Sequence, residues 1–442
     1  MINQVAEMLK RLKRAIFGND EPPRQLPIKD DGYVIVGKEA SAYEIKGDEE
    51  IPLPESKIVS KLKAKRRESH MLLRLMLLTP IIALVFVSGC VQIETMSGEA
   101  PSETSFSSIV TSSTQTTSTA MFPQFNTTPF CSDSLWRYDV ERAIPCALSK
   151  EELAKIKTLA EQLKGGSLQQ SAWNILEWEK EHIRYDWEKA SLPAPEIKIY
   201  GNGSFEIVSG KNSTIQTPYE TIMKGKGICT DYAILTAGLL LSMGYSPVYI
   251  FIINFTNSDV GHAVAVIEIE GWYFVLDQHP PAMDLGAYYL YWKEEGETVS
   301  NATVYEVRLV NGSVRVKNLG PISGTEFLKQ DYRFTDGDAR AISKDLSLII
   351  LKNFPNLRLD ETLSQDILPK RYSEGKAWTF RFEKFVEYYT PLFHEQLIDY
   401  LYGSIISDPE VRADLEQYSA FWIEIKEKGE NLEIILDIAK SR

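Results

Sequence analysis

The sequence predicts an α+β fold in which a long apolar helix opening at Cys229 packs on an antiparallel sheet. An N-terminal anchor segment precedes this core, and a mixed α/β C-terminal region follows it. Three observations predict this arrangement. Cys229-Thr230-Asp231-Tyr232-Ala233 begins an apolar-faced run that reaches Met243 and stops at Gly244, as a helix does. Strand-like runs follow at 246–254, 262–269 and 272–276, the last two joined by the turn pair Glu270-Gly271. Far upstream, residues 71–91 form an almost unbroken apolar stretch directly after a basic cluster.

A chain of 442 residues exceeds the usual size of one compact domain, and 44% hydrophobic with 25% charged residues describes an ordinary globular interior and surface. The net charge is −13, yet residues 1–70 carry 14 Lys/Arg against 12 Asp/Glu, so the acidity lies in the remainder. Nothing there resembles the basic footprint of a nucleic-acid binder.

Residues 1–17 place Val5, Met8, Leu9, Leu12, Ile16 and Phe17 at helical spacing among Lys and Arg. That pattern suits a helix lying on an anionic membrane face or one packed on its own small domain. Residues 20–60 are rich in Pro and charge, with one strand-like run, Tyr33-Val34-Ile35-Val36. Lys61, Lys63, Lys65, Arg66 and Arg67 then flank the apolar segment 71–91, whose length just spans about 30 Å of hydrocarbon. The positive-inside rule places residues 1–70 inside and 92–442 outside. A second reading of the same segment takes Met71-Leu72-Leu73-Arg74 as a charged leader and Val87-Ser88-Gly89-Cys90 as a lipobox. On that reading Cys90 carries lipid, the chain starts at Met71, and residues 1–70 are an extension. Either way membrane lipid holds the protein through residues 71–91, and the bulk of the chain is extracytoplasmic.

Residues 92–130 form a stalk. Thirteen of the twenty residues 101–120 are Ser or Thr, a composition that cannot bury enough apolar surface to order itself. Six Asn-x-Ser/Thr sequons follow Cys90, at Asn126, Asn202, Asn212, Asn254, Asn301 and Asn311, which agrees with an external, glycosylated domain. Of the four cysteines, Cys131 and Cys146 flank a short stretch and suit one disulfide, worth about 3 kcal/mol, while Cys229 stands alone.

The globular part, 131–335, opens with the capping pattern Ser149-x-x-Glu152 before a helix at 150–164, and a second helix is expected at 168–182. Residues 187–216 read as irregular. After the core strands, Asn311-Gly312 joins a hairpin at about 303–309 and 313–317. Residues 336–442 are expected to be mainly helical. Helices are anticipated at 337–353 and 383–403 and after Asp408-Pro409-Glu410, with short strands around Trp378-Phe382 and Trp422-Ile425.

The chemistry concentrates between Thr217 and Asp277. A thiol at a helix start, as at Cys229, feels the positive end of the macrodipole and unpaired backbone N–H groups. Both favour thiolate, and the same N–H groups can receive an oxyanion. A single cysteine in an external chain is more often a buried small hydrophobe than a nucleophile, so the reading of Cys229 rests on its companions. His262 follows Gly261 at the start of one strand, and Asp277 ends the next, after Trp272-Tyr273-Phe274-Val275-Leu276. An antiparallel hairpin makes these two neighbours on one edge, where a carboxylate can orient an imidazole whose other nitrogen faces a thiol.

The pattern G-x-C-x-D-x-A, then Gly-His, then a Trp-led strand ending in Asp resembles the transglutaminase-like superfamily of papain-like cysteine enzymes. With the anchored, stalked layout it resembles a membrane-attached archaeal branch of that superfamily. The resemblance covers roughly residues 170–290. It implies Cys229 as nucleophile, His262 as general base and Asp277 as orienting carboxylate. Two neighbours depart from the pattern: Val264 stands where many relatives have Trp, and Gln278-His279-Pro280 where many have Pro-Thr. Tyr185 and Trp187 are the candidates for the upstream oxyanion donor, with a core role as the alternative. His279 is a lesser candidate. His182 and His394 are read as structural or exposed, and Asp231 as support for the first helical turn. No two-carboxylate, zinc or phosphate-loop pattern appears, so no cofactor and no metal are expected. Two functions follow from the resemblance. One is a cysteine enzyme acting on amide bonds of external proteins or peptides through a thioester. The other is a silent surface-binding module that keeps the fold.

Overall fold

The computed structural model describes residues 40–44, 131, 134–199, 205–256, 258 and 260–442. The expected helix at 1–17, the strand at 33–36, the anchor 71–91, the stalk 92–130 and the sequons Asn126 and Asn202 lie outside the described residues. Among the described residues no helix is long and apolar enough to cross a membrane.

A short strand β1 (Ala40–Glu44) comes first. The Cys131–Cys146 disulfide forms and ties the start of the globular part to α1 (Val140–Ala147). Helices α2 (Lys150–Leu163) and α3 (Leu168–His182) follow as expected, each opened by a serine whose Oγ accepts from the third residue on, Ser149 from Glu152 N and Ser167 from Gln170 N. The stretch read as irregular holds more order than its composition suggests. It contains β2 (Arg184–Tyr185), a one-turn helix α4 (Trp187–Ala190) and a small hairpin of β3 (Glu196–Ile199) and β4 (Phe205–Ser209).

Helix α5 (Pro218–Lys224) has a full capping box, Thr217 and Glu220 each bonding the other's backbone N–H, with Pro218 at the first helical position. It ends on Gly225, whose φ of +60° is the left-handed conformation that favours glycine. After the two-residue strand β5 (Lys226–Gly227), parallel to β2, comes α6 (Cys229–Ser242). From Asp231 to Leu241 every residue of α6 is buried. A helix apolar all round belongs inside a core, and α6 has β6 and β7 on one side and α2, α3 and α5 on others.

The sheet it meets has six strands in the order β11-β10-β6-β7-β8-β9. These are β6 (Val248–Phe255), β7 (His262–Ile269), β8 (Trp272–Leu276), β9 (Met283–Asp284), β10 (Val299–Val310) and β11 (Ser313–Ser323). All its pairings are antiparallel, and the turns fall where the sequence marks them: Glu270-Gly271 and Asn311-Gly312 have φ of 54° and 84°, and 51° and 75°. Helix α7 (Leu285–Glu294) lies between β9 and β10, and a single turn α8 (Gly324–Phe327) follows β11.

The C-terminal region is mixed α/β, with longer strands than the short ones expected around Trp378-Phe382 and Trp422-Ile425. Helices α9 (Asp336–Asn353), α10 (Phe385–Tyr388), α11 (His394–Ile406) and α12 (Pro409–Gln417) are present. So is a five-stranded sheet, β1-β13-β15-β14-β12, built on β12 (Arg358–Leu359), β13 (Tyr372–Phe382), β14 (Ala420–Lys428) and β15 (Asn431–Ser441). The single helix expected at 383–403 is broken, because Pro391 has no N–H to continue a ladder and starts a separate turn before α11. Strand β1 pairs antiparallel with β13, Ala40 opposite Trp378 and Glu44 opposite Glu374. This region shares the main core: Gln396 Nε2 on α11 donates to Gln170 Oε1 on α3 at 3.0 Å, and Phe393 meets Phe274 of β8 with ring centroids 5.1 Å apart.

Candidate active site

Cys229 is the first residue of α6, and the loop before it is held by one buried carboxylate. Asp231 Oδ2 accepts from Ile228 N at 2.9 Å, from Gln216 Nε2 at 2.9 Å and from Lys189 Nζ at 2.5 Å, while Oδ1 accepts from Gln216 N at 2.8 Å. Asp231 therefore does what the sequence suggests, supporting the first turn, and it also ties α4 and the segment before α5 to the thiol's helix. Gly227 permits this approach, since a Cβ there would stand 2.8 Å from Asp231 Cβ. Cys229 is half-buried and is the free cysteine among the described residues.

His262 and Asp277 meet as the hairpin predicts. His262 Nε2 donates to Asp277 Oδ2 at 2.9 Å, with the His262 side chain fully buried. Gly261 lets the strand start close in: a Cβ there would stand 2.9 Å from the Ile253 carbonyl oxygen. With Nε2 committed to the carboxylate, Nδ1 is the ring nitrogen left for the thiol, and it is buried with no hydrogen-bond partner. Burial pushes the Cys229 thiol up, but the imidazole beside it and the Ala263 backbone N–H outweigh burial and bring it below the ordinary thiol value. Burial would likewise lower His262. The charge and hydrogen bond of Asp277, with the thiol's help, carry it instead to about 10. Burial raises Asp277, and this is overcome by His262 and by the Tyr288 hydroxyl, which hold it below the usual carboxylate range. The directions are mutually consistent: the imidazolium favours both a lowered thiol and a lowered carboxyl.

The structure also brings up residues that the sequence pattern does not mark. Tyr288 on α7 donates to Asp277 Oδ2 at 2.7 Å, and Gln278 Nε2 donates to Oδ1 at 2.9 Å. Trp292, one turn after Tyr288, lies 5.2 Å from the His262 ring. Glu179 of α3, fully buried, accepts from Thr236 Oγ1 of α6 at 2.6 Å, and burial pushes its carboxyl well above the usual range. A Tyr and a Trp four apart on an aromatic-rich helix look like core positions in sequence, so only the packing of α7 reveals them.

Of the lesser candidates, Tyr185 is buried against the site, its hydroxyl within hydrogen-bonding reach of the Cys229 backbone N–H, and its ring packs on Trp187 at 4.5 Å. His279 turns aside: its backbone N–H donates to the Asp277 carbonyl at 2.7 Å and its Nδ1 lies 3.1 Å from the Pro280 oxygen. His182 stacks on Trp178 at the surface. His394 is held between Tyr389 and Asp345, at 2.8 and 3.0 Å, in the C-terminal unit.

A buried helix opening at a free cysteine and packed on this antiparallel sheet is the arrangement of a transglutaminase-like domain. The family model described as a transglutaminase-like domain matches residues 154–305. The chain belongs to the UPF0252 family. It is 36% identical to a UPF0252 protein of Archaeoglobus fulgidus over 311 residues, which is 70% of this chain and 91% of that protein. It is 30% identical to one of Pyrococcus furiosus over 319 residues, 72% of this chain and 90% of that protein. A third relative, from Pyrococcus horikoshii, is 34% identical over 310 residues, 68% of this chain and 89% of that protein. Among solved structures, Legionella pneumophila LapG in its EGTA-treated form is similar over 34% of this chain and 83% of that chain, at 15% identity and a TM-score of 0.18.

Proposed function

We propose that the protein is a membrane-anchored, extracytoplasmic cysteine enzyme that acts on amide bonds of proteins or peptides through Cys229, His262 and Asp277. The observation that carries this reading is the His262 ring, bonded through Nε2 to Asp277 while Nδ1 is left to a thiol lowered by that same ring. The Cys229 thiolate forms an S–C bond to the amide carbonyl carbon, and the carbonyl electron pair moves to oxygen. The backbone N–H groups at the start of α6 and the Tyr185 hydroxyl receive that oxyanion. As the tetrahedral species collapses, the C–N bond breaks and His262 Nδ1–H passes its proton to the departing nitrogen. A thioester remains on Cys229. Water or an amine then attacks it, giving its proton to Nδ1, and the sulfur leaves as thiolate. Asp277 keeps its charge throughout and orients the ring.

The external location is supported by the Cys131–Cys146 disulfide and by the exposed sequon residues Asn212, Asn254 and Asn311. Anchoring rests on residues 71–91. A lipid-anchored form beginning at Cys90 lacks β1 and leaves β13 as a sheet edge, whereas a chain retaining residues 1–70 keeps β1 paired only if it does not span the bilayer. The mass of the N-terminal peptide from detergent-extracted protein distinguishes these forms. For the chemistry, a thiol-reactive amide-type probe should label the wild type and not Cys229→Ala. Equal labelling of the two, or an unchanged Cys229 alkylation rate in His262→Ala at pH 7, would sink the enzyme reading and leave a binding module. A peptide library with and without added amine then separates hydrolysis from transfer.

A further inference from the structure

The Asp277 carboxylate has more partners than orienting an imidazole requires. His262 Nε2–H and the Tyr288 O–H both donate to Oδ2, at 2.9 and 2.7 Å, and the Gln278 amide donates to Oδ1 at 2.9 Å. The three donors come from three places: β7, the turn after β8, and α7. A carboxylate bonded to imidazole alone turns easily about its last torsion, which is broad and two-fold. Donors on both oxygens remove that freedom. Gln278 reaches its position only through an unusual backbone, with φ of +66°, a conformation that costs energy for a residue with a side chain.

Helix α7 is built to deliver the second donor. Asp284 caps its start, accepting from Ala287 N at 2.8 Å, and its other oxygen accepts from Tyr332 N at 3.0 Å. Gly286 allows the helix to sit against the 330–332 segment, where a Cβ would stand 2.3 Å from Asp331 Cβ. At the far end Lys384 pairs with Glu294. So fixed, α7 turns Tyr288 toward the carboxylate and Trp292, one turn on, toward the imidazole. Tyr288 is fully buried, and with Asp277 beside it its hydroxyl stays protonated across the working range, so it remains a donor.

We infer that Tyr288 is a positioning residue: its O–H, opposite the Gln278 amide, locks the Asp277 carboxylate in the orientation that turns His262 Nδ1 to the Cys229 sulfur. This rests on the proposed function only in the pairing of thiol and imidazole, not in any substrate. Other ionisable groups that bear on Asp277 are Cys229, Tyr185, Glu179, Tyr232 and His279, none of which the substitution below alters.

In the full chain, Tyr288→Phe keeps the ring and removes the donor. The rate of Cys229 alkylation by iodoacetamide from pH 5 to 9 should show its acidic limb moved up by about one pH unit, with up to about a tenfold lower rate along that limb. Tyr289→Phe, on the same helix, should overlay the wild type. Overlay of the Tyr288→Phe profile with the wild type overturns the inference. Should Tyr288→Phe not fold, the wild type itself decides, because two protons that share one acceptor oxygen lie close together. A nuclear Overhauser effect between the Tyr288 hydroxyl and His262 Nε2–H supports the inference, and its absence in folded protein overturns it. A shifted limb in a protein that turns over no amide would leave the positioning role standing while the enzyme reading fails.

Discussion

Replacing Asp277 by Asn removes one negative charge, keeps the size of the side chain and leaves an oxygen for His262 to donate to. The structure sets the magnitude. His262 stands at about 10 against an ordinary 6.5. That difference corresponds to a net hold on the imidazolium of about 5 kcal/mol, of which the Asp277 charge is the largest favourable part. Burial works against the imidazolium, so without the carboxylate the ring falls to or below its ordinary value and is neutral at pH 7. The thiol then loses the cation that offsets its own burial and rises past the ordinary thiol range.

The sign follows directly. In the wild type thiolate and imidazolium coexist from the lowered thiol value up to about pH 10, so the alkylation rate levels off at a lower pH than for an ordinary thiol. In Asp277→Asn a thiol titrating at about 9 or above is less than about 1% thiolate at pH 6.5, so alkylation there falls by up to about 10²-fold and recovers about tenfold per pH unit. The assay is second-order alkylation by iodoacetamide from pH 5.5 to 10, with mass spectrometry confirming Cys229 as the site. A variant whose rate at pH 6.5 stays within about threefold of the wild type would refute the charge coupling, and with it the thiolate–imidazolium resting state.

Three further outcomes test other parts of the structure. Asp437 on β15 is buried with Oδ2 unbonded, and burial, then Glu424, push it up to about 7. The folded state thus binds a proton that the unfolded chain releases near 3.8, and stability falls as pH rises from about 4 to 7. Asp437→Asn should remove that slope and raise stability at pH 8 by up to about 4 kcal/mol in urea unfolding, with little change at pH 4. Cys146→Ser opens the loop closed by the disulfide and should lower stability by about 3 kcal/mol, matched in the wild type by reductant and readable by chemical denaturation. Gly227→Ala drives a Cβ against Asp231, so it should displace the α6 start, costing about 1–3 kcal/mol and slowing Cys229 alkylation at pH 7.

Cys229, His262 and Asp277 could be read from the chain because each sits at the end of an element whose period is local. An apolar helix begins at the thiol, one alternating strand begins at the histidine, and the next ends at the aspartate. Two residues at facing ends of a hairpin are neighbours by geometry, so no tertiary knowledge was needed to pair them. The broken helix at 383–403 was also legible, since Pro391 forbids a continuous ladder, but the apolar spacing around it outweighed that signal. The C-terminal sheet was harder. Ile434, Ile435, Leu436 and Ile438 of β15 are all buried, so the strand lacks the alternation that separates a half-covered strand from a helix.

Tyr288 and Gln278 could not have been found this way, and the reason is physical. Gln278 acts through a left-handed backbone, and no periodicity encodes that for a residue other than glycine. Tyr288 acts through the docking of α7, which depends on Asp284, Gly286 and the 330–332 segment, more than 40 residues beyond the helix's own start. The departure after Asp277, where Gln278 stands in place of the superfamily's usual Pro, thus falls on a residue bonded to the carboxylate itself. A proline, having no side-chain N–H, could not donate to Asp277 Oδ1. In this chain the Gln278 amide and the Tyr288 hydroxyl act as a pair, one on each oxygen. Losing either should therefore weaken the hold of the other, a coupling that a double-mutant cycle on the Cys229 alkylation limb would measure as non-additive.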